Sequence, residues 1–170
     1  MMPLNGFRTV LTGATGGIGK AMAFELAGHS QSMLLLGRDS STLNTLRDAV
    51  LNVHPSLHVS CLAGDLTDSA YVAEIAAYSR EQGVNLVVNN AGVIAPIGPL
   101  DSVPSDALGA AFAVNVTGVH RMSVAALGLL REANGVIVNA GTGAATTPME
   151  GWTVYCSTKA GMRMLTQMMA

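Results

Sequence analysis

Residues Thr12 to Gly19 read TGATGGIG and follow directly on the apolar run RTVLT at 8–12. How this octapeptide is read decides the fold. Its glycines satisfy two spacings: TGxxxGxG uses Gly13, Gly17 and Gly19, and TGxxGxxG uses Gly13, Gly16 and Gly19. In either case a glycine-rich turn between a first strand and its helix turns backbone N–H groups and the positive helix end toward a pyrophosphate. Gly13 would permit the sharp turn, Gly17 a close approach to phosphate, and Gly19 close packing of helix on strand. Tight turns also require glycine, so the motif carries weight only if βαβ units surround it.

They do. Working outward, apolar strand-sized runs recur at SMLLLG (32–37), LHVSCLA (57–63), VNLVVNNAG (84–92) and GVIVNA (135–140). Between them lie amphipathic stretches that predict helices over 17–27, 40–53, 67–82, 105–131 and 154–169. Ser40 and Ser41 are candidate caps for the second helix, and Thr67-Asp68 the start signal of the third. Residues 93–104, VIAPIGPLDSVP, form a proline-containing connection. The fourth and fifth runs are nearly continuous in apolar residues, which predicts strands buried on both faces, as in a parallel sheet. The expected fold class is α/β, a doubly wound open parallel sheet of Rossmann-like type, with ligands at the carboxyl ends of the strands. No linker or repeat appears, so residues 1–170 read as a single domain.

Composition narrows the function. The 170 residues are 49% hydrophobic and 12% charged, with a net charge of −2. No basic cluster offers itself to nucleic acid. The apolar stretches are strand-sized or interrupted by Gly, Asn and Arg, so no segment reads as a membrane span. The N-terminus, MMPLNGFR, lacks a signal pattern, and the expected localisation is cytoplasmic. Cys61 and Cys156 read as small buried thiols, and His29, His54, His58 and His120 are too scattered for a metal site.

Arg38 lies 19 positions after Gly19, with Gly37 where an acidic residue would bind the ribose hydroxyls of NAD(H). A guanidinium there suits a 2′-phosphate, which predicts NADP(H) rather than NAD(H); pairing of Arg38 with Asp39 is the competing reading. After the third strand, Asp65 could accept from an adenine amino group while the Leu66 N–H pairs with the ring. Asp65 could equally cap the next helix. Tyr155 and Lys159 are four residues apart and share a face if the last segment is helical. An ammonium beside a phenol favours phenolate and makes it useful for acid–base chemistry.

TGATGGIG, NNAG at 89–92, Asn115 in NVTG and YCSTK at 155–159 together resemble the short-chain dehydrogenase/reductase family, in matching order from about residue 8 to the end. These motifs favour the TGxxxGIG spacing and leave Gly16 as a turn residue. The resemblance implies cofactor contacts at Gly13, Thr15, Gly17, Ile18, Gly19, Arg38, Asp65, Leu66, Asn90, Ala91 and Gly92, besides Tyr155 and Lys159. Tyr155 would be the general acid that protonates a carbonyl oxygen, and Lys159 would bind the nicotinamide ribose. Asn115 would hold a relay water; an Asn bonding backbone in a kinked helix fits the same position. The family usually places a serine 13 positions before the tyrosine, where this chain has Thr142, an equivalent hydroxyl with an added methyl.

Within the family, GWTVYCSTKAGMRMLTQMMA (151–170) is similar to sepiapterin reductase and benzil-reductase-type carbonyl reductases, which share Trp152 and Cys156. Trp152 reads as a packing anchor or a substrate contact. The resemblance implies a small ketone, aldehyde or alcohol substrate, and a homodimer or homotetramer paired through 105–131 and 154–169. It also implies two further strands and a substrate loop beyond Ala170, so the expected fold is truncated after the fifth strand and its helix. GVIVNA would then be a sheet edge, and Met162, Met164, Met168 and Met169 would lack cover. The chain is either a fragment of a longer one or a short form. The expected function is NADPH-dependent carbonyl reduction or its reverse; the alternatives are a non-catalytic NADP(H)-binding or redox-sensing protein and a nucleotide-sugar epimerase or dehydratase.

Overall fold

The computed structural model describes residues 6–170, so the reading of MMPLN lies outside it. Five strands alternate with helices: β1 (Phe7–Thr12), α1 (Gly17–Ala27), β2 (Ser30–Gly37), α2 (Ser40–Val53), β3 (His58–Ala63), α3 (Ser69–Gln82), β4 (Leu86–Asn89). A long connection then leads to α4 (Ser105–Phe112), α5 (Val119–Glu132), β5 (Val136–Asn139) and α6 (Thr153–Met168). All strand pairs are parallel and the order is β3-β2-β1-β4-β5. The chain therefore reverses its direction of growth between β1 and β4, and this switch point opens a crevice at the carboxyl ends of the strands.

Strand alternation divides the core into two layers. Leu11, Met33, Leu35 and Val88 face α1 and α2, where Ala23, Leu43, Leu46 and Val50 meet them. Val10, Leu34, Leu36 and Val87 face the other way, toward Tyr71, Val72 and Ile75 of α3 and Met122, Ala126 and Leu130 of α5. Each fully buried Leu or Met in these layers contributes about 1.5–3 kcal/mol relative to exposure. The small residues Ala23 and Ala27 let α1 lie close on the sheet.

Several expectations are corrected. β4 ends at Asn89 rather than Gly92, because the N–H groups of Asn90 and Ala91 both donate to the Thr12 hydroxyl at 3.0 Å. β5 is not buried on both faces: it is the sheet edge, with Val136 and Val138 exposed. Asp39, not Ser40 or Ser41, caps α2, accepting from the Thr42 N–H at 2.7 Å and from the Ser41 and Thr42 hydroxyls. Those bonds hold the Asp39 carboxyl at about 2. Asp68, not Asp65, caps α3, accepting from the Ala70 N–H at 2.8 Å.

The stretch expected as one helix from 105 to 131 is helical throughout but changes pitch: Ala113–Gly118 form a π turn between α4 and α5. The whole run, Ser105–Glu132, is long and apolar enough to cross a bilayer, which the sequence reading did not anticipate. Met122, Ala126 and Leu130 of this run pack on the sheet instead. The terminal methionines split: Met162 is buried, whereas Met164 and Met168 are exposed. Both cysteines are free and half-buried; the Cys61 thiol donates to the Leu43 carbonyl at 3.5 Å, and burial pushes its pKa up.

Candidate active site

The glycine turn opens the site. Gly13 has φ +64°, and a Cβ there would stand 2.7 Å from the Ala91 Cα, so only glycine fits. A Cβ on Gly19 would stand 2.0 Å from the Gly13 carbonyl oxygen and 2.9 Å from Asn90 Nδ2. Gly19 thus brings α1 against the turn itself. A Cβ on Gly17 would meet nothing within 4 Å, and its bare side faces a cleft. Gly16 has an ordinary extended φ of −71° and forms the helix N-cap without a side chain. The first intrahelical bond runs from the Lys20 N–H to the Gly16 carbonyl, at 2.8 Å. The N–H groups of Gly17, Ile18 and Gly19 are left without an intrahelical acceptor, and no acidic residue occupies the first turn of α1. Such an end attracts an anion.

Thr12 and Asn90 hold this turn in place. The Thr12 hydroxyl accepts from two successive N–H groups of the NNAG segment, and Asn90 Nδ2 donates to the carbonyls of Thr12 (3.3 Å) and Gly13 (3.1 Å). Neither role was anticipated. A threonine closing a strand beside a second strand that ends in Asn is the only signal that could have pointed to them.

The cleft has a volume of about 510 Å³ and runs across the switch point. It joins Gly13, Thr15, Gly17, Ile18 and Gly19 to Gly37 and Arg38 at the end of β2. Gly64, Asp65 and Leu66 border it beyond β3, and Asn90, Ala91, Gly92 and Val93 line it beyond β4. Ala140, Gly141, Tyr155 and Lys159 complete the wall at its other end. Arg38 is exposed and forms no ion pair with Asp39 among the described residues, since Asp39 is engaged as a cap. Asp65 accepts from the Thr67 N–H and hydroxyl, both at 2.8 Å. These bonds, together with the nearby Arg38 charge, hold its carboxyl below the usual carboxylate range.

Tyr155 and Lys159 lie one turn apart on α6, with Lys159 Nζ 5.7 Å from the Tyr155 ring centroid. Lys159 is 5% exposed and donates to the Ala140 carbonyl at 2.8 Å; burial lowers its pKa. Asn115, in the π turn, accepts from the Val93 N–H at 2.8 Å and donates to the Val93 carbonyl (2.8 Å) and the Thr158 hydroxyl (2.9 Å). Its backbone-bonding role is therefore present, and it ties the segment after β4 to α6. A Cβ on Gly92 would lie 3.2 Å from Asn115 Oδ1 and 3.7 Å from Lys159 Nζ, so both groups converge over Gly92.

Thr142 is not brought into the cleft lining. It follows Gly141 there, is half-buried, and its hydroxyl accepts from the Ala144 N–H at 3.3 Å. Trp152 packs edge-on against Tyr155, with ring centroids 5.6 Å apart. A second polar chain went unforeseen: Asn89 Nδ2 donates to Asn139 Oδ1, and Asn139 Nδ2 to the Thr166 hydroxyl, both at 2.9 Å, linking β4, β5 and α6.

The chain is similar to known proteins in sequence and in fold. The family model described as short chain dehydrogenase matches residues 8–170. L-Xylulose reductase of Mesocricetus auratus is 34% identical over 169 residues, covering 98% of this chain and 66% of the reductase. Sepiapterin reductase of Rattus norvegicus is 31% identical, covering 95% of this chain and 67% of its own length. Among solved structures, an NADP-bound 3-oxoacyl (acyl-carrier-protein) reductase from Agrobacterium tumefaciens C58 superposes with a TM-score of 0.88 at 25% identity. It covers 98% of this chain and 64% of that one. An NAD+-bound xylitol dehydrogenase gives 0.90 at 26% identity, with 98% and 65% coverage. The chain thus spans about two thirds of such relatives, and nicotinamide dinucleotides of both kinds occur among them. With its glycine turn, its Tyr155–Lys159 pair and this match over residues 8–170, the chain belongs to the short-chain dehydrogenase/reductase family.

Proposed function

We propose that this chain is an NADPH-dependent carbonyl reductase, converting a small ketone or aldehyde to an alcohol or running the reverse, with Tyr155 as general acid/base. The observation that carries this reading is a single cleft with an anion-attracting helix end on one wall and Tyr155 and Lys159 on another. The residues present fit a dinucleotide. The bare side of Gly17 leaves room beside three free N–H groups, and a cleft of about 510 Å³ falls within the usual size of ligand sites, roughly 300–1,000 Å³. Arg38, free of Asp39, suits a 2′-phosphate and supports NADP(H) over NAD(H). Asp65 and Leu66 suit the adenine edge, and the backbone of Asn90, Ala91 and Gly92 allows close approach.

When bound, the reduced nicotinamide would supply hydride to the carbonyl carbon. The Tyr155 hydroxyl passes its proton to the carbonyl oxygen as negative charge develops there. Lys159, anchored on Ala140, keeps an ammonium beside the phenol and within reach of a ribose. Asn115 orients the backbone around Val93 and, through Thr158, the helix that carries both groups. Thr142, beside Gly141, would supply the hydroxyl that orients the carbonyl, its oxygen accepting from the Ala144 N–H and its proton left to donate. Exposed Val124, Met164 and Met168 on α5 and α6 support pairing into a homodimer or homotetramer.

The test is NADPH and NADH consumption against a panel of diketones and aldehydes, repeated with Thr142→Ala. Turnover with NADPH preferred, lowered in the variant, supports the reading. Tight NADPH binding without turnover on any carbonyl supports the non-catalytic binding protein instead.

A further inference from the structure

The substrate end of the cleft is bordered by the starts of two segments, 93–104 and 141–152. They are joined: the Gly98 N–H donates to the Gly151 carbonyl at 2.9 Å, and Gly98 pairs with Trp152 in an isolated parallel bridge. Trp152 in turn stands against Tyr155, so this junction lies beside the Tyr155 ring. Large apolar side chains on the two segments are turned to solvent: Ile94 is 44% exposed, Ile97 57%, Leu100 74% and Met149 46%. Ile94 lines the cleft directly. Four exposed apolar residues on two joined segments, one of them in the wall of the cleft, are unlike the scattered singles of an ordinary surface.

Charge on these segments points the same way. Neither contains a Lys, Arg or His, and their only ionisable residues are Asp101 and Glu150. Glu150 is exposed and precedes Gly151, the partner of Gly98. Asp101 precedes Ser102, whose hydroxyl oxygen would lie 2.7 Å from a Cβ on Gly98. Both residues are exposed and adjoin, in sequence, the residues that form the junction. The cleft's two cations do not offset them. Arg38 belongs to the far end beyond β2, and Lys159 is buried with its ammonium bonded to Ala140.

We propose that this end of the cleft selects neutral, apolar carbonyl compounds, aryl or alkyl ketones and aldehydes, and rejects carbonyl substrates that carry a carboxylate or phosphate. The inference rests on the carbonyl-reductase reading and names its substrate class. An apolar arm is removed from water by Ile94 and its neighbours, which stabilises binding in proportion to the area covered. An anionic arm loses hydration, finds no partner cation, and meets two carboxylates of its own sign.

Trp152 is the only tryptophan in the chain, so its fluorescence reports ligands beside Tyr155 without turnover. Three para-substituted acetophenones of similar shape serve as probes: 4-methyl, 4-carboxylate and 4-trimethylammonio. Each is titrated into the 170-residue chain with NADP+ present, and its reduction by NADPH is followed separately. Saturable quenching by the methyl ketone, with a Kd for the carboxylate weaker by about tenfold or more, supports the inference. In Glu150→Lys, an exposed change outside the reacting groups, the carboxylate tightens several-fold while the methyl ketone is unchanged. Equal or tighter binding of the carboxylate overturns the inference, as does absence of saturable quenching by all three. Selective quenching without reduction of any probe leaves the inference standing and overturns the reductase reading. Reduction with the carboxylate favoured does the reverse.

Discussion

Replacing Gly17 and Gly19 by alanine should produce opposite phenotypes. At Gly19 the added methyl lands 2.0 Å from the Gly13 carbonyl oxygen, well inside van der Waals contact. That oxygen cannot retreat, because Gly13 itself is packed so that a Cβ would lie 2.7 Å from Ala91. Relief requires α1 to lift from the turn, an overpacking cost of about 1–3 kcal/mol. For a chain of this size each kcal/mol lowers Tm by about 2–4 °C, so Gly19→Ala should melt about 2–12 °C lower. At Gly17 the methyl meets nothing within 4 Å, and alanine in place of glycine at a helical position stabilises by at most about 0.5–1 kcal/mol. Its Tm should be unchanged or slightly raised. The methyl projects into the cleft where a phosphate would approach, so NADPH affinity should fall about tenfold or more, about 1.4 kcal/mol. Gly16→Ala, 3.6 Å from the nearest atom, should change both by little. Thermal unfolding without cofactor and titration of NADPH fluorescence read the two quantities separately. A Gly17→Ala protein that binds NADPH like the parent, while Gly16→Ala does not, would refute the assignment of the turn.

Arg38→Ala should weaken NADPH binding by about 1.5–3 kcal/mol, the usual value of a charge-assisted bond, and leave NADH binding unaltered; equal losses for both would remove the 2′-phosphate role. Asn115→Ala strips partners from the Val93 N–H and carbonyl and from the Thr158 hydroxyl, and should cost about 2–4 kcal/mol in denaturant unfolding. An undiminished midpoint would contradict that bonding. Lys159 sets a pH dependence. Burial lowers its pKa below 10.5, so between the folded value and 10.5 the unfolded chain binds more protons than the folded one. Stability contributed by this group therefore rises with pH across that interval. The Tm of the parent relative to Lys159→Met should climb as pH rises toward 10.5, and a flat difference would argue against a buried ammonium.

The layered sheet was legible because its cause is local: apolar runs of strand length separated by helix-period segments leave few other arrangements. The need for glycine at 13 and 19 was legible for the same reason, since each depends on the turn around it. What escaped was tertiary. A π turn at 113–118 has no composition of its own; it is visible only once Asn115 reaches Val93 and Thr158. At α3 the Thr67-Asp68 signal marks the helix start and Asp65 is not the cap, whereas the cap of α2 was misassigned because Asp39, Ser40 and Ser41 are equally able to accept from a helix N–H. Only the chain path chooses among them. The edge position expected for GVIVNA is observed, and with it the exposed face that the continuous apolar run VIVN argued against. Thr142 matched its motif by counting, yet its hydroxyl turns to Ala144 and not to the cleft.

The central claim is that Tyr155 transfers the proton in a reduction carried out in this cleft. Tyr155→Phe keeps the ring against Trp152 and removes only the hydroxyl. Single-turnover NADPH oxidation with a neutral aryl ketone, beside NADPH titration of the same protein, measures chemistry and binding independently. The account predicts a rate reduced by about 10²–10⁴-fold with NADPH affinity unchanged. A variant that oxidises NADPH at the parental rate would contradict it.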